Sequence, residues 1–395
     1  MFQYKLWQHP LKPVRYLGLA GGLILGFGLA SCSERGTGAA TPEPAAPSAD
    51  APLVVATTGV LCDLTQQIAE STVNLSCLME PGQDPHTYQV TPSDRQAMEQ
   101  AALILYDGFD TAPSITDMVE STNTDAPRVA VYQAAVPNPL MGRAHDHDHD
   151  HGHDHGAEAK AAHDHDHDHG AETKADDDHD HDHGAEAEAA HDHDYGGTAT
   201  KAQEERAELV PDPHIWHNAA NNGAIATVIA DSLADINPDQ AELYRQNAAR
   251  LNEQFIQLDE WIAVQVDTIP ANQRKLVTTH DSFRYFADAY GLEVAGALGG
   301  LSTDEKPTPS ALTALVDQVK AAEVPAIFAE TTTNPQLIET VAKDAGVAVA
   351  PQSLFVEGPG GPGSAAETTQ AMLVVNTCTV VEALGGTCNQ AEAPL

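Results

Sequence analysis

Fifteen of the twenty histidines in this chain lie between residues 145 and 193, in a tract where histidine alternates with aspartate. They are His145, His147, His149, His151, His153, His155, His163, His165, His167, His169, His179, His181, His183, His191 and His193. Imidazole suits Zn²⁺, Cu²⁺ and Ni²⁺, while carboxylates add charge and accept harder ions. The tract therefore offers many weak, interchangeable metal sites, a pattern typical of capture or buffering rather than catalysis.

The same tract has almost no apolar residue larger than alanine, so nothing offsets the entropy of ordering its backbone. A solvated acidic linker with incidental histidines is the alternative interpretation. Histidine at alternate positions is rare in ordinary disordered segments, which favours the metal-binding interpretation. Because the chain is well patterned on both sides, we interpret residues 143–208 as a long surface loop inserted into one lobe.

Four histidines remain outside the tract and the N-terminal segment: His86, His214, His217 and His280. His86 and His214 each follow an Asp-Pro pair. There the proline fixes the backbone, and the aspartate could accept the second ring N–H and so fix the metal-binding tautomer. His280 ends an expected strand, where ligands of open α/β sheets gather. His217 is either a spare ligand or, as we expect, a structural or rim residue.

The elements that must position these histidines alternate between short apolar runs and amphipathic segments. The expected strands are 53–57, 103–106, 276–279, 294–297 and 326–329, and the expected helices are 62–70, 92–101, 282–290, 309–322 and 335–345. This alternation predicts βαβ units, and hence an α/β fold with mainly parallel sheets flanked by helices.

One long amphipathic helix is expected over residues 238–268, because its apolar residues recur at spacings of three and four. A helix of about 28 residues within this range spans roughly 42 Å. We predict that it joins an N-terminal lobe, residues 53–237, to a C-terminal lobe, residues 269–395.

The N-terminal segment has the pattern of an export signal, with Lys5, Lys12 and Arg15 preceding an apolar run over residues 16–30. The sequence Leu-Ala-Ser before Cys32 resembles the lipobox of bacterial lipoproteins, in which the cysteine is lipidated. An uncleaved anchor helix is the alternative, but the run is shorter than the roughly 20 residues a bilayer requires. We expect a signal peptide over residues 1–31, a tether over 32–52, and a periplasmic or extracytoplasmic lipoprotein.

The remaining cysteines, Cys62, Cys77, Cys378 and Cys388, are even in number and expected in an oxidising compartment. Four cysteines allow three connectivities. Short loops favour Cys62 with Cys77 and Cys378 with Cys388.

The formal net charge of -39 argues against nucleic acid as a partner and favours attraction of cations. Three histidines with an open fourth position also describe a hydrolytic zinc site. However, the chain lacks an HExxH motif, and the one companion base that stands out, Glu330, is equally interpreted as a structural hydrogen-bond acceptor. We therefore expect a protein that is not an enzyme.

Several segments together resemble the cluster A-I solute-binding proteins of zinc and manganese ABC transporters. They are GQDPHTYQVTPSD, DPHIWHN, VTTHDSFRYF, IFAETTTNPQ and SLFVEGPGGPGSAAETTQAMLVVNT, and the similarity covers residues 53–386. A His-rich acidic loop at this location is similar to the zinc-specific branch of that family. The resemblance implies two α/β lobes joined by one long helix, with the metal in the cleft between them.

The resemblance also implies the metal ligands: His86 and His214 from the first lobe and His280 from the second. The family's fourth ligand is an aspartate or, in some zinc binders, a water molecule. Glu357 occupies the position of that aspartate, so the fourth ligand is either Glu357 or water. Manganese-binding members tend to carry glutamate at the third position, whereas three nitrogens suit tetrahedral Zn²⁺.

The resemblance further implies two partners for a monomeric, tethered binding protein: an integral membrane permease and a cytoplasmic ATPase. Zinc uptake with Zn²⁺ as the bound ion is the expected function. Two alternatives remain open: a surface metal buffer or adhesin that uses the His-rich tract, and a manganese-binding homologue.

Overall fold

A computed structural model of the chain describes residue 48 and residues 50–143, 209–304 and 307–395. The expected signal peptide, the expected lipidation site Cys32 and most of the expected tether lie outside the described residues. So do residues 144–208, which contain the fifteen histidines of the tract.

The first lobe is built on a four-stranded parallel sheet with strand order β2-β1-β3-β4. Its strands are β1 (Leu53–Ala56), β2 (Asn74–Cys77), β3 (Leu103–Tyr106) and β4 (Arg128–Ala130). Its helices are α1 (Gly59–Ala69), α2 (Pro92–Gln100), α3 (Pro113–Ser121) and α4 (Val131–Ala135). The central strands β1 and β3 read LVVA and LILY and are almost wholly buried, as expected for parallel strands covered on both faces.

A short antiparallel hairpin follows, formed by β5 (Met141–Arg143) and β6 (Leu209–Pro211). Sequence patterns did not predict it, because three-residue strands are too short to show an alternation. The two strands flank the His-rich insertion in the chain.

Two long helices come next: α5 (Ala219–Ile236) and the linking helix α6 (Ala241–Asp267), which pack along each other. The 27 residues of α6 span about 40 Å. Its start lies three residues later than expected, because Pro238–Gln240 forms a 3-10 turn. Its buried stripe has the spacing that the sequence indicated and consists of Tyr244, Asn247, Ala248, Leu251, Phe255, Leu258, Trp261, Ile262, Gln265 and Val266.

The second lobe has two short parallel strand pairs, β7-β8 and β9-β10. Its strands are β7 (Lys275–Thr278), β8 (Glu293–Ala297), β9 (Ala326–Ile327) and β10 (Ala348–Val349). Its helices are α7 (Arg284–Tyr290), α8 (Pro309–Ala322), α9 (Pro335–Ala345) and α10 (Thr369–Ala383). The backbone N–H of Phe328 donates to the carbonyl oxygen of Val277 at 2.9 Å and joins the two pairs. The strand expected over 326–329 is shorter than predicted and ends at Ile327.

The expected fold class is confirmed: parallel sheets flanked by helices, with one long helix between the lobes. Both expected disulfides are present, joining Cys62 to Cys77 and Cys378 to Cys388, with Cα atoms 5.6 and 5.2 Å apart. Within the described residues, we find no helix that is both long and apolar enough to span a bilayer.

Candidate metal centre

Four side chains that the sequence singled out meet at one point: His86, His214, His280 and Glu357. One potential ligand atom from each lies within 4.8 Å of the others. All four residues are buried, with exposed fractions of 7%, 0%, 2% and 6% respectively. The structure thus collects residues that are up to 271 positions apart (357 minus 86) into one buried cluster.

The distances within this cluster suit a small tetrahedral ion. The Nε2 atom of His214 lies 3.4 Å from Nε2 of His86 and 3.3 Å from Nε2 of His280. Oε1 of Glu357 lies 3.3 to 4.0 Å from the three Nε2 atoms. Ligands bound tetrahedrally at about 2.0–2.1 Å are about 3.3–3.4 Å apart. Three of these distances match that spacing, whereas Oε1 of Glu357 lies farther from Nε2 of His86 and of His214, at 3.7 and 4.0 Å.

His214 is held in place by the aspartate that precedes it by two residues. Oδ1 of Asp212 accepts the backbone N–H of His214 at 3.0 Å and lies 2.9 Å from its Nδ1. Asp212 is fully buried. A carboxylate that accepts the Nδ1 proton leaves the Nε2 lone pair free for a metal. This is the arrangement that the Asp-Pro-His sequence predicted.

His86 lies in the turn between β2 and α2, and its preceding aspartate serves the backbone. Oδ1 of Asp84 accepts the backbone N–H of His86 at 2.9 Å, and Oδ2 accepts the hydroxyl proton of Thr303. Because Thr303 belongs to the second lobe, Asp84 joins the two lobes beside the cluster.

Glu330 is the carboxylate partner of His280. Its Oε1 accepts the backbone N–H groups of Thr279 and His280 at 3.0 and 2.9 Å, and its Oε2 lies 2.6 Å from Nδ1 of His280. These contacts use both carboxylate oxygens to hold the histidine. The sequence suggested either a catalytic base or a structural acceptor at this position, and the contacts are those of the structural acceptor.

The electrostatics of the cluster favour a charged carboxylate facing the imidazoles. Burial alone would raise the pKa of Glu357, but the charges of His86, His214 and His280, with a hydrogen bond from His280, lower it to about 2. Burial alone would lower the pKa of His280, but Glu330 and Glu357 raise it well above its usual range. A cation at the centre would replace the proton of His280 as the partner of Glu357.

The loop that carries Glu357 packs tightly on the first lobe. A Cβ atom placed on Gly358 would lie 3.4 Å from backbone atoms of Gly59 and Val60, and one placed on Gly361 would lie 2.5 Å from the ring of Pro81. Glycine permits these close approaches.

His217 is fully buried and lies outside this cluster. Its ring stacks on Phe283, with centroids 4.3 Å apart and planes 24° apart. Burial, reinforced by the nearby charge of His214, lowers its pKa to about 3. The residue is therefore part of the core, as the structural interpretation predicted, and does not lie at the rim.

Sequence reasoning missed one buried polar group near the cluster. Asp107 follows β3, and its Oδ1 accepts the hydroxyl proton of Thr58 at 2.7 Å. Burial raises the pKa of Asp107 to about 7, the Thr58 hydrogen bond opposes this shift, and the charge of Glu357 adds to it. The position of Asp107 at the carboxyl end of a central strand was the available signal.

Residues 54–383 match the family described as zinc-uptake complex component A, periplasmic (ZnuA). The chain belongs to the ZnuA family. Its similarity to that family thus covers both lobes and all four clustered residues.

Among the relatives of this ZnuA-family chain is the manganese-binding lipoprotein MntA of Halalkalibacterium halodurans. It is 28% identical over 84% of this chain and 88% of its own length. The manganese ABC transporter substrate-binding lipoprotein PsaA of Streptococcus pneumoniae is 25% identical over 93% of this chain and 97% of its own. The solved structure of the periplasmic zinc-binding protein TroA of Treponema pallidum matches with a TM-score of 0.65 and 25% identity. That match covers 85% of this chain and 99% of TroA.

ZnuA-family proteins are metal-binding substrate-binding proteins of ABC transporters and not enzymes, which confirms the expectation of a non-catalytic role. The named relatives bind different metals. Family membership therefore establishes divalent metal binding as the class of function and leaves the choice of metal to the residues of the site.

Proposed function

We propose that this protein is the high-affinity zinc-binding component of an ABC uptake transporter. It captures Zn²⁺ between its lobes with Nε2 of His86, His214 and His280 and with the carboxylate of Glu357. It then delivers the ion to a membrane permease driven by a cytoplasmic ATPase. A lipid on Cys32 tethers it outside the cytoplasm.

The observation that carries the choice of zinc is the donor set of the cluster. Three imidazole nitrogens and one carboxylate oxygen suit Zn²⁺, whereas Mn²⁺ prefers more oxygen donors in an octahedral arrangement. The spacing of 3.3 to 3.4 Å between Nε2 of His214 and those of His86 and His280 supports the same choice. Carboxylate partners on His214 and His280 add to the basicity of those imidazoles.

Manganese uptake is the second candidate, because relatives in Halalkalibacterium halodurans and Streptococcus pneumoniae carry manganese names. A third candidate is a surface metal buffer that relies on the His-rich tract, which contains fifteen histidines. Each candidate predicts a different response to removal of the tract and to a change of metal.

A competitive titration with metal counting separates the three candidates. It uses soluble protein without residues 1–52 and 144–208, together with a His86→Ala, His214→Ala, His280→Ala variant of the same protein. We expect one tight Zn²⁺ per molecule that the triple variant loses, and Mn²⁺ binding at least 100-fold weaker. A His217→Ala variant is the matched control for loss of a buried histidine outside the cluster, and circular dichroism checks folding.

Equal affinity for Mn²⁺ would replace zinc with manganese in the proposal. If the folded protein without the tract binds no Zn²⁺ tightly while the full-length protein does, the surface buffer would be supported instead.

A further inference from the structure

A metal ion needs a path to the four-residue cluster, because those side chains are almost fully buried. Among the described residues, at least two cavities border the cluster. The larger has a volume of about 290 Å³ and is bounded by His280, Asp84, Thr279, Thr332 and Thr333 among others. The smaller has a volume of about 100 Å³ and is bounded by Glu357, Pro81, Phe355, Thr331 and Thr332 among others. The cluster thus has a cavity on the His280 side and another on the Glu357 side.

Three threonines in the wall of the larger cavity, Thr279, Thr332 and Thr333, have hydroxyl groups that are shielded from water. The Oγ1 atoms of Thr279, Thr332 and Thr333 are buried and make no hydrogen bond to any described residue. Thr279 is 7% exposed. A buried polar group left without a partner costs about 1–3 kcal/mol, and turning these side chains toward the cavity would give their hydroxyls partners.

The larger cavity also has one carboxylate, that of Asp84. Contacts to the backbone of His86 and to the hydroxyl of Thr303 fix its orientation. An ionised carboxylate has roughly four acceptor positions, so further positions remain for donors in the cavity. Carboxylate and hydroxyl oxygens are acceptors for the water protons of a hydrated cation.

The smaller cavity differs in both size and chemistry. Five of its wall residues, Pro81, Gly82, Phe355, Gly358 and Gly360, contribute no polar side chain; the others are Glu357, Thr331 and Thr332. It has about a third of the volume of the larger cavity. It offers a hydrated ion less space and fewer acceptors.

We propose that the larger cavity is the access passage of the metal and a transient binding site for the hydrated divalent cation. There, the carboxylate of Asp84 accepts hydrogen bonds from the water shell, and the hydroxyls of Thr279, Thr332 and Thr333 do so once their side chains turn toward the cavity. The imidazoles then displace those waters one at a time, starting at His280, which forms part of the cavity wall. This inference rests on the proposed capture of metal by the cluster.

The loop between β9 and α9 offers a matched pair of blocking variants. Thr331 borders the smaller cavity alone, Thr333 borders the larger cavity alone, and Thr332 lies between them. Thr333→Trp therefore obstructs the proposed passage, and Thr331→Trp places the same bulk two residues away in the other cavity. Thr333→Leu gives a smaller obstruction at the same position.

The test is stopped-flow binding of Co²⁺ to the mature full-length protein. Tetrahedral Co²⁺ absorbs strongly in the visible range, and the part of this signal that the His86→Ala, His214→Ala, His280→Ala variant loses reports the cluster. We expect Thr333→Trp to slow association at least tenfold, Thr333→Leu to slow it less, and Thr331→Trp to leave it within twofold. The affinity should change little in all three variants, because association and dissociation slow together.

Asp84→Asn provides a second measurement that does not depend on added bulk. Loss of the charge should slow Co²⁺ association severalfold and weaken its dependence on salt. Slower association in Thr331→Trp than in Thr333→Trp would overturn the proposal, as would unchanged rates in all variants. Equilibrium titration of the same proteins separates the two proposals, because a missing tetrahedral site in the unaltered protein would reject metal capture by the cluster itself.

Discussion

Trp216 donates its indole N–H to the carbonyl oxygen of Val356 at 2.8 Å. This bond joins the segment that carries His214 to the segment that carries Glu357. The side chain of Trp216 is 2% exposed, so the bond lies inside the core. Together with the contacts of Gly358 and Gly361, it fixes Glu357 to the first lobe, although its chain position places it in the second.

The close approach of Gly361 to Pro81 can be tested with a matched pair of substitutions. Gly361 and Gly363 both have positive φ angles, 75° and 81°. A Cβ atom at 361 would meet Pro81 at 2.5 Å, whereas one at 363 would meet nothing within 4 Å. In both alanine variants, backbone strain should lower the unfolding free energy by about 1 kcal/mol. Gly361→Ala should lose a further 1–3 kcal/mol, roughly, from overpacking, measured by chemical denaturation.

The same pair tests how Glu357 is positioned. Because Gly361→Ala pushes the Glu357 loop away from the first lobe, zinc affinity should fall in that variant and stay unchanged in Gly363→Ala. Equal stability and equal affinity of the two variants would mean that the Pro81 contact does not position the loop.

Replacing Glu330 with glutamine should weaken zinc binding about 10- to 100-fold. A glutamine amide can still accept the two backbone N–H groups, but its NH₂ would face Nδ1 of His280. The imidazole would then carry its proton on Nε2, where the metal binds. Competitive titration measures the loss. Glu339→Gln removes an exposed carboxylate from the same lobe and should have no effect; equal affinities in the two variants would contradict the role given to Glu330.

Asp107 should make the metal-free protein less stable as the pH rises. Its pKa is about 7 in the folded protein, against an ordinary aspartate value of 3.8, so the folded protein holds this proton more tightly than the unfolded chain does. The stability it contributes is present below pH 4 and is lost as the pH rises towards 7, by up to about 4 kcal/mol. Asp107→Asn cannot titrate and still accepts the Thr58 hydroxyl.

Denaturation of both metal-free proteins between pH 4 and pH 8 provides the measurement. As the pH rises, the unfolding free energy of the unaltered protein should fall relative to that of Asp107→Asn. Two curves that stay parallel over this range would show that the buried carboxyl does not titrate there.

Loss of the disulfide between Cys62 and Cys77 should lower stability by about 3 kcal/mol. The bond closes a loop with a sequence separation of 15 and ties α1 to β2. A Cys62→Ala, Cys77→Ala variant, compared with the unaltered protein by chemical denaturation, measures the loss. Adding a reductant to this variant probes the second bond, between Cys378 and Cys388, and a further loss of similar size is expected. If the Cys62→Ala, Cys77→Ala variant is as stable as the unaltered protein, removing this disulfide gives the unfolded chain little additional freedom.

The regular elements were predictable because their patterns are local. Helices α8 and α9 begin and end where the sequence indicated, since each has a proline at its start and a clear amphipathic period. The helix expected at Cys62 begins instead at Gly59, because Val60 and Leu61 continue the buried face of α1. Local pattern alone does not set such boundaries.

The candidate site was predictable in part. Asp-Pro-His sequences pointed to His86 and His214, and a strand end pointed to His280. Glu357 came from the family resemblance, because its surrounding Gly-Pro loop has no periodicity. The roles of Glu330 and Asp107 depend on contacts between residues about 50 positions apart. Sequence patterns do not report such contacts.

The hairpin of β5 and β6 has a consequence for how this chain can vary. Arg143 and Leu209 are paired across the ladder, so the described chain stops and resumes at neighbouring points. Closing a flexible loop costs only about 0.6 kcal/mol more for each doubling of its length. Repeats of histidine and aspartate can therefore be gained or lost between these two residues over generations, while the geometry of the buried cluster stays the same.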